Sequence, residues 1–395
     1  MLSRIITIPL HQYARYFERY RQLASTQPIE KLASPEELQA FSAEVGQGLG
    51  INSGNPHDYE RELRTRLDQH HLEIFSRTQA ETTKRWTYEQ EIKRPYFHVT
   101  ELDESQLTNW QKYLDFEEVE GDYKRTAFLY ERCLVTAAHY DDFWQRYARW
   151  MLAQNGKVEE VRNILQRASC IYTPIARPAV RLQWALFEES CNRPTVAAAI
   201  YEAILIAMPD YQDAIICLAN LQRRQQGDEA AIGVYEHYLA SSECSSSTKG
   251  ALVAEMARLA WQSSGNSDEG RTIFQDHKQS HLDSEPYWSG YLRFEIDQTT
   301  TPQTKTAQFT RIQAVHQELR RSSRLSPDAV KNLSQQYLSF LSQSGSPTAA
   351  KEYMTLDAEI NGPASIVPSM REKNINSEKA AEKAASLSKA NGHPV

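Results

Sequence analysis

The residues that could do chemistry in this chain form a few groupings. His277 and His281 stand four apart, a spacing that places two imidazoles on one helix face as zinc ligands require. No third ligand follows at motif spacing, so the pair reads as solvated histidines. Glu117-Glu118 and Glu188-Glu189 have the form of paired acids for general acid–base work. They recur with a longer period of the chain, which points instead to bonding between helices. The run Gly46-Gln47-Gly48-Leu49-Gly50 could cradle a phosphate, but it lacks the G-K-[ST] ending and follows no strand. It reads as a linker. No Ser-His-Asp or Cys-His constellation has local motif support. The expectation is a protein without catalytic, cofactor-binding or metal-binding residues.

Charge and composition narrow the partners. The formal net charge of −7 argues against a strongly basic nucleic-acid binder and leaves room only for local basic patches. Such patches are Arg61/Arg64/Arg66, Lys84/Arg85, Lys93/Arg94, Arg223/Arg224 and Arg320/Arg321/Arg324. Arg223, Arg224, Arg320, Arg321 and Arg324 are the candidate contacts to RNA phosphate or an acidic partner. No apolar run approaches the length of a membrane span, and the first ten residues lack a signal-peptide core. The five cysteines have no C-x-x-C spacing and read as buried free thiols in a reducing compartment, cytosol or nucleus.

The elements that carry these residues are amphipathic helices. From Trp110 to Leu134 the chain reads as two helices with a tight turn at Gly121. Trp110, Tyr113, Leu114 and Phe116 share one stripe of the first, and Phe128, Leu129 and Leu134 supply much of the second's apolar surface. Two helices this short cannot bury both faces alone, and the sequence repeats them. Trp144, Tyr147 and Trp150 each lie 34 residues after Trp110, Tyr113 and Phe116. The pattern returns at Trp184 and Phe187, and at Trp288, Tyr291 and Phe294. From Tyr130 the second helix recurs in steps of 35, 36, 34 and 39 residues. Two helices per period in the mid-thirties predict an all-α chain, an α-solenoid of stacked helix pairs. These aromatic residues are assigned to the repeat core.

The signature W-x-x-Y-x-x-F-E with Y-E-R in the second helix resembles the HAT (half-a-tetratricopeptide) repeat rather than the tetratricopeptide unit, which favours Gly and Ala where its helices cross. The resemblance implies an RNA-processing role. A more specific run, Lys84-Arg85-Trp86-Thr87-Tyr88-Glu89 followed by Lys93-Arg94-Pro95-Tyr96-Phe97-His98-Val99, resembles the pre-mRNA-processing factor 39 family. That resemblance implies a non-enzymatic nuclear scaffold of the U1 snRNP. It would assist 5′ splice-site recognition through protein contacts, with weak or indirect RNA contact. Alternatives are a HAT scaffold of another complex, for 3′-end cleavage or ribosomal RNA processing, and a direct single-strand RNA binder.

In chain order, residues 1–24 read as a partial HAT repeat, so the chain is expected to be the C-terminal part of a longer array or a truncated gene model. Residues 25–57 read as a linker with a short helix starting at Ser34-Pro35, 58–94 as a long connecting helix, 95–361 as the repeat array and 362–395 as a disordered tail. The last helix pair offers Tyr337, Leu338, Phe340 and Leu341 on one helix and Tyr353, Met354 and Leu356 on the next. This is expected to be an exposed apolar end, and so a dimer interface, with the polar segment 298–308 giving it freedom to reach a second subunit. The family resemblance implies pairing through the same repeats, as a homodimer or with a paralogue.

Overall fold

Local chemistry sets where the helices start and stop. Gly121, at φ 77°, ends one helix in the left-handed region, and the side chain of Asp122 accepts the N–H groups of Lys124 and Arg125 to start the next. At Ser34 a reciprocal cap forms: the Ser34 N–H donates to the Glu37 carboxylate and the Glu37 N–H donates to Ser34 Oγ. Ser245, Ser284 and Ser326 start three further helices with one-way caps, each side chain accepting the N–H of the residue three ahead. The computed structural model describes residues 2–48, 56–299 and 303–362.

The chain forms two compact units, Met1–Tyr147 and Ala148–Val395. The first holds α1 (Leu2–Ile5), α2 (Tyr13–Ala24), α3 (Pro35–Gly48), α4 (Pro56–Glu91), α5 (Glu104–Glu120) and α6 (Tyr123–Thr136); α7 (Asp141–Leu152) spans the division. Phe17 and Tyr20 of α2 pack with Ile74 and Phe75 of α4, so these two helices behave as a pair separated by α3. The segment expected to be a linker is itself packed. Val45 of α3 and Ile29 share a core with Leu63 and Leu67 of α4. The remainder of that segment, residues 49–55, lies outside the described residues, as does the tail from 363.

The second unit continues with α8 (Val158–Arg167), a short π-helical turn (Ala168–Tyr172), α9 (Ala179–Ser190), α10 (Pro194–Ala207), α11 (Gln212–Gln226) and α12 (Asp228–Ala240). Then follow α13 (Ser246–Ser264), α14 (Ser267–His277), α15 (Glu285–Ile296), α16 (Lys305–Ser322), α17 (Pro327–Gln343) and α18 (Ala349–Ile360). From α8 to α14 and from α15 to α18 each helix packs on the next, and α11, α13, α15 and α17 also pack each on the following one, which is the stacking of an α-solenoid. Among the described residues no strand occurs.

The repeated aromatic residues fill the space between helices. Trp110, Tyr113, Trp144, Tyr147, Phe187, Trp288, Tyr291 and Phe294 are buried. The indole N–H groups of Trp144 and Trp288 donate to the carbonyls of Ala138 and Leu282, the residues six before each. Phe116, Trp150 and Trp184 are only half-buried. Phe128, expected on the apolar face of α6, points outward at 66% exposure while Leu129 and Leu134 are buried. Small residues also matter where α13 crosses α15. A Cβ on Gly290 would lie 2.3 Å from Ala254 Cβ, so the tight crossing expected of tetratricopeptide units occurs here too.

The polar segment 298–308 is not a free hinge at its far end. Gln308 is buried, and its amide donates to the carbonyls of Glu295, Ile296 and Gln298, closing the end of α15. Gln106 does the same for α4, donating to the Glu91 carbonyl and accepting from the Lys93 N–H. Truncating a fully buried indole should cost about 3–5 kcal/mol. Trp144→Ala is therefore expected to lower the urea midpoint sharply; an unchanged midpoint would place Trp144 outside the core.

Candidate interaction surface

The paired acids sit between helix pairs. In the first unit Arg85 of α4 donates through Nη2 to Glu117 Oε2 of α5 at 3.0 Å, with side chains 6% and 4% exposed. In the second unit Arg162 of α8 lies 2.8 Å from Glu188 of α9, and Arg271 of α14 lies 2.7 Å from Glu295 of α15. Glu188 and Glu295 are each 1% exposed. The rule is the same three times: the second helix of one pair supplies an arginine to a buried glutamate of the next pair's first helix. Glu188 also receives the Trp184 indole N–H at 3.1 Å and lies 3.1 Å from Arg193.

The second acid of each pair reaches the other way. Glu118 accepts from the Tyr130 hydroxyl and from Arg146 of α7, and Glu189 accepts from Arg224 of α11 at 2.6 and 2.7 Å. Charge is thereby consumed inside each unit. Burial opposes the charge of Arg85, yet the hydrogen bonds it donates to the Glu117 and Glu81 carboxylates hold its pKa above the ordinary value. Burial likewise opposes ionisation of Glu81, but donors from Arg85, Lys84 and Arg125 bring its pKa down to about 2.

Several expected contact residues are therefore committed within the chain. Arg223 is paired with Asp228 at 2.6 Å, Arg224 with Glu189 and Arg320 with Glu359 at 2.8 Å. Arg321 and Arg324 are exposed at the end of α16. His277 and His281 stack with ring centroids 6.2 Å apart, and no group of three potential metal ligands forms among the described residues. Of the cysteines, Cys133 and Cys244 are buried, Cys191 and Cys217 are half-buried, and Cys170 is exposed, against the expectation of buried thiols.

The expected apolar end is largely covered by its own chain. Tyr337, Leu338, Leu341 and Leu356 are buried in a core shared with α15 and α16, and the Tyr337 hydroxyl donates to Glu352 at 2.6 Å. His316 of α16 stacks on Tyr337 at 4.2 Å and bonds Ser334 at 3.1 Å. The reading failed because α16 presents Ile312, Val315 and Leu319 to the same core. Phe340 and Tyr353 are half-buried, and Met354 remains 66% exposed.

Two surfaces escaped the sequence reading. In the first unit a groove of about 790 Å³ lies between the corner at Pro9, Leu10 and His11, the end of α4 and the outer face of α6. Trp86, stacked on His11 at 5.0 Å, and the outward Phe128 line it; Arg132 and Glu89 at its edge are paired with each other. In the second unit the π-helical turn displays Ile171, Tyr172 and, further on, Ile175 at 68%, 40% and 47% exposure. Arg181 holds this segment, donating to the carbonyls of Ser169, Thr173, Pro174 and Arg177. Nothing in the residue pattern announces either, because both depend on which side of a helix its neighbours leave uncovered.

Comparison with known proteins places the chain. A family model described as the PRP39 C-terminal HAT repeat matches residues 83–224. Pre-mRNA-processing factor 39 of Schizosaccharomyces pombe is 40% identical over 408 aligned residues, covering 100% of this chain and 67% of that protein. The chain belongs to the pre-mRNA-processing factor 39 family. The factor 39 protein of Xenopus laevis is 30% identical, over 75% of this chain and 48% of its own length, so the chain spans about half of that relative. The U1 small nuclear ribonucleoprotein component PRP42 of Saccharomyces cerevisiae is 23% identical, over 42% of this chain and 31% of its own length. The crystal structure of CstF-77 aligns with 89% of this chain and 77% of its own, at 12% identity and a TM-score of 0.48.

For this family member the buried pair is testable. Removing one partner leaves an uncompensated buried charge, so Glu295→Leu should cost about 3–5 kcal/mol, while the double change with Arg271→Met should recover much of it. Additive losses in urea unfolding would show the two side chains to be uncoupled. A second expectation concerns pH. Burial, with Arg320 nearby, pushes the His316 imidazole down to about 4. A base depressed on folding binds its proton more tightly when unfolded. Its contribution is complete above the unfolded value near 6.5 and is lost as pH falls towards about 4. His71 and His281, also depressed by burial, act in the same direction. Unfolding free energy measured at pH 7.5 and pH 5 should differ less for His316→Gln than for the parent; an equal difference would remove His316 from the account.

Proposed function

We propose that this chain is a non-enzymatic scaffold in pre-mRNA splicing, a nuclear component of the U1 snRNP that assists 5′ splice-site recognition through protein contacts. The observation that carries this reading is its 40% identity, along its whole length, to a pre-mRNA-processing factor 39. The similarity to a named U1 component supports the choice of complex. The electrostatics support protein rather than RNA as the main partner. The net charge is −7, and Arg85, Arg162, Arg224 and Arg271 are each engaged by carboxylates of the same chain. Stacked helix pairs with separate uncovered surfaces suit a scaffold that holds several proteins at once.

Pairing with a second copy or a paralogue through the C-terminal repeats remains part of this reading. With most of the expected patch buried, it would rest on outward residues such as Met354. Light scattering at micromolar concentration tests it, and a monomer would remove it. For the main proposal, the tagged chain is purified from nuclear extract and the bound RNA and proteins are identified. U1 snRNA and U1 proteins should be enriched together. Enrichment of a 3′-end cleavage or ribosomal RNA processing complex instead would overturn the assignment. RNA bound by the purified chain alone should be weak and released as salt is raised.

A further inference from the structure

Between the end of α12, the first turn of α13 and the end of α14 the second unit holds a cavity of about 410 Å³. Lys249, His277 and His281 line it, with Ser246, Ser280 and Cys244. Lys278, outside the cavity, is paired with Glu318, whereas Lys249 is half-buried and forms no ion pair among the described residues. His281 is 5% exposed, yet its Nδ1 has no hydrogen-bond partner within the chain. A polar atom buried in that state calls for an explanation, and an absent ligand is one. We infer that this cavity binds a phosphomonoester, carried by a phosphorylated side chain of a partner protein.

The donors suit that group. A phosphorylated side chain carries a charge of about −1.5 to −2 at pH 7 and three strong acceptor oxygens. Lys249 supplies a point charge, the two imidazoles supply ring N–H groups, and Ser280, exposed on the cavity wall, supplies a hydroxyl. The imidazoles stack with centroids 6.2 Å apart, close enough for one anion to meet both. Burial, then the neighbouring His277, pushes the His281 imidazole below its ordinary value; Lys249 acts in the same direction and Asp283 against it. A bound dianion supplies the missing counter-charge and draws a proton onto the ring. An RNA backbone fits less well, because it asks for a row of cations. Here the positive groups form one spot with carboxylates around it. Asp283 accepts the Ser246 hydroxyl at 2.8 Å, Asp210 accepts the Ser245 N–H at 2.7 Å, and the exposed Glu243 precedes Cys244. A single phosphate on a peptide can enter; an extended polyanion meets those acids. The cavity takes such a phosphate whichever complex the chain joins, so it is testable apart from the splicing assignment.

The test is NMR at pH 7 on the full chain with its histidine rings labelled. His277→Gln and His281→Gln identify the two signals. A Gly-Gly-phosphoserine-Gly-Gly peptide should move both towards their protonated positions, and inorganic phosphate should move the same pair. The unphosphorylated peptide should move neither. Lys249→Gln should weaken the phosphopeptide about tenfold or more, as loss of a charged hydrogen-bond donor does. Ser280→Asp, at an exposed position, should block binding while the melting temperature stays as in the parent. Lys351→Gln, exposed on α18, should change nothing. Still signals with the phosphopeptide, or undiminished affinity in Lys249→Gln, would overturn the inference. So would a single-stranded RNA with hydroxyl ends that moves the same two rings at lower concentration than the peptide, since the site would then belong to an RNA backbone.

Discussion

A buried arginine–glutamate pair at the join between helix pairs is the constraint on which this structure turns. Each glutamate is taken from water to within a few per cent of full burial, where an unpaired carboxylate would be prohibitively unstable. The pair adds little net stability over an apolar substitute, since desolvation offsets much of the attraction. What it enforces is register. Arg85, Arg162 and Arg271 must each lie opposite Glu117, Glu188 and Glu295, so a helix pair cannot slide on its neighbour without stranding two charges. Aromatic side chains tolerate small shifts; a fork of guanidinium and carboxylate does not.

The second acids extend the same logic in the opposite direction. Glu118 and Glu189 reach arginines of the following first helix, so a Glu-Glu dipeptide binds behind and ahead of itself. Glu295 is followed by Ile296, not by a second acid, and there the junction is closed differently. Gln308 gathers the last two carbonyls of α15 and that of Gln298 just beyond it, and α13 meets α15 where Gly290 faces Ala254. At this junction steric register acts beside the ionic register of Arg271 and Glu295.

How much of this was legible in the residues follows from the physics of each feature. Trp110, Trp144 and Trp288 could be placed in the core because burial imposes a helical spacing that repeats. The Glu-Glu pairs could be set aside as catalysts because they kept that period. Phe128 could not be placed, since the phase of an apolar stripe is fixed by neighbours that are distant in sequence. The C-terminal patch was misread for the same reason: counting apolar residues on α17 and α18 ignores how many of them α16 covers. The basic clusters looked available because an arginine and its carboxylate partner can stand 24 to 39 residues apart, as Arg271–Glu295 and Arg320–Glu359 do.

The loop held by Arg181 has a consequence of its own. Irregular backbone ordinarily stays loose until a partner arrives, and each residue then ordered costs about 1–2 kcal/mol of conformational entropy. Here one guanidinium grips four carbonyls across residues 169–177, and the Thr173 N–H returns to Ala168 at 2.8 Å. Ile171, Tyr172 and Ile175 are thus already held in place in the free chain. Whatever covers them meets a rigid ledge, so association there would be governed by shape match rather than by loop ordering. The same economy concentrates the restraint: four of the bonds that shape the ledge converge on a single side chain, so a change at that arginine would remove them together.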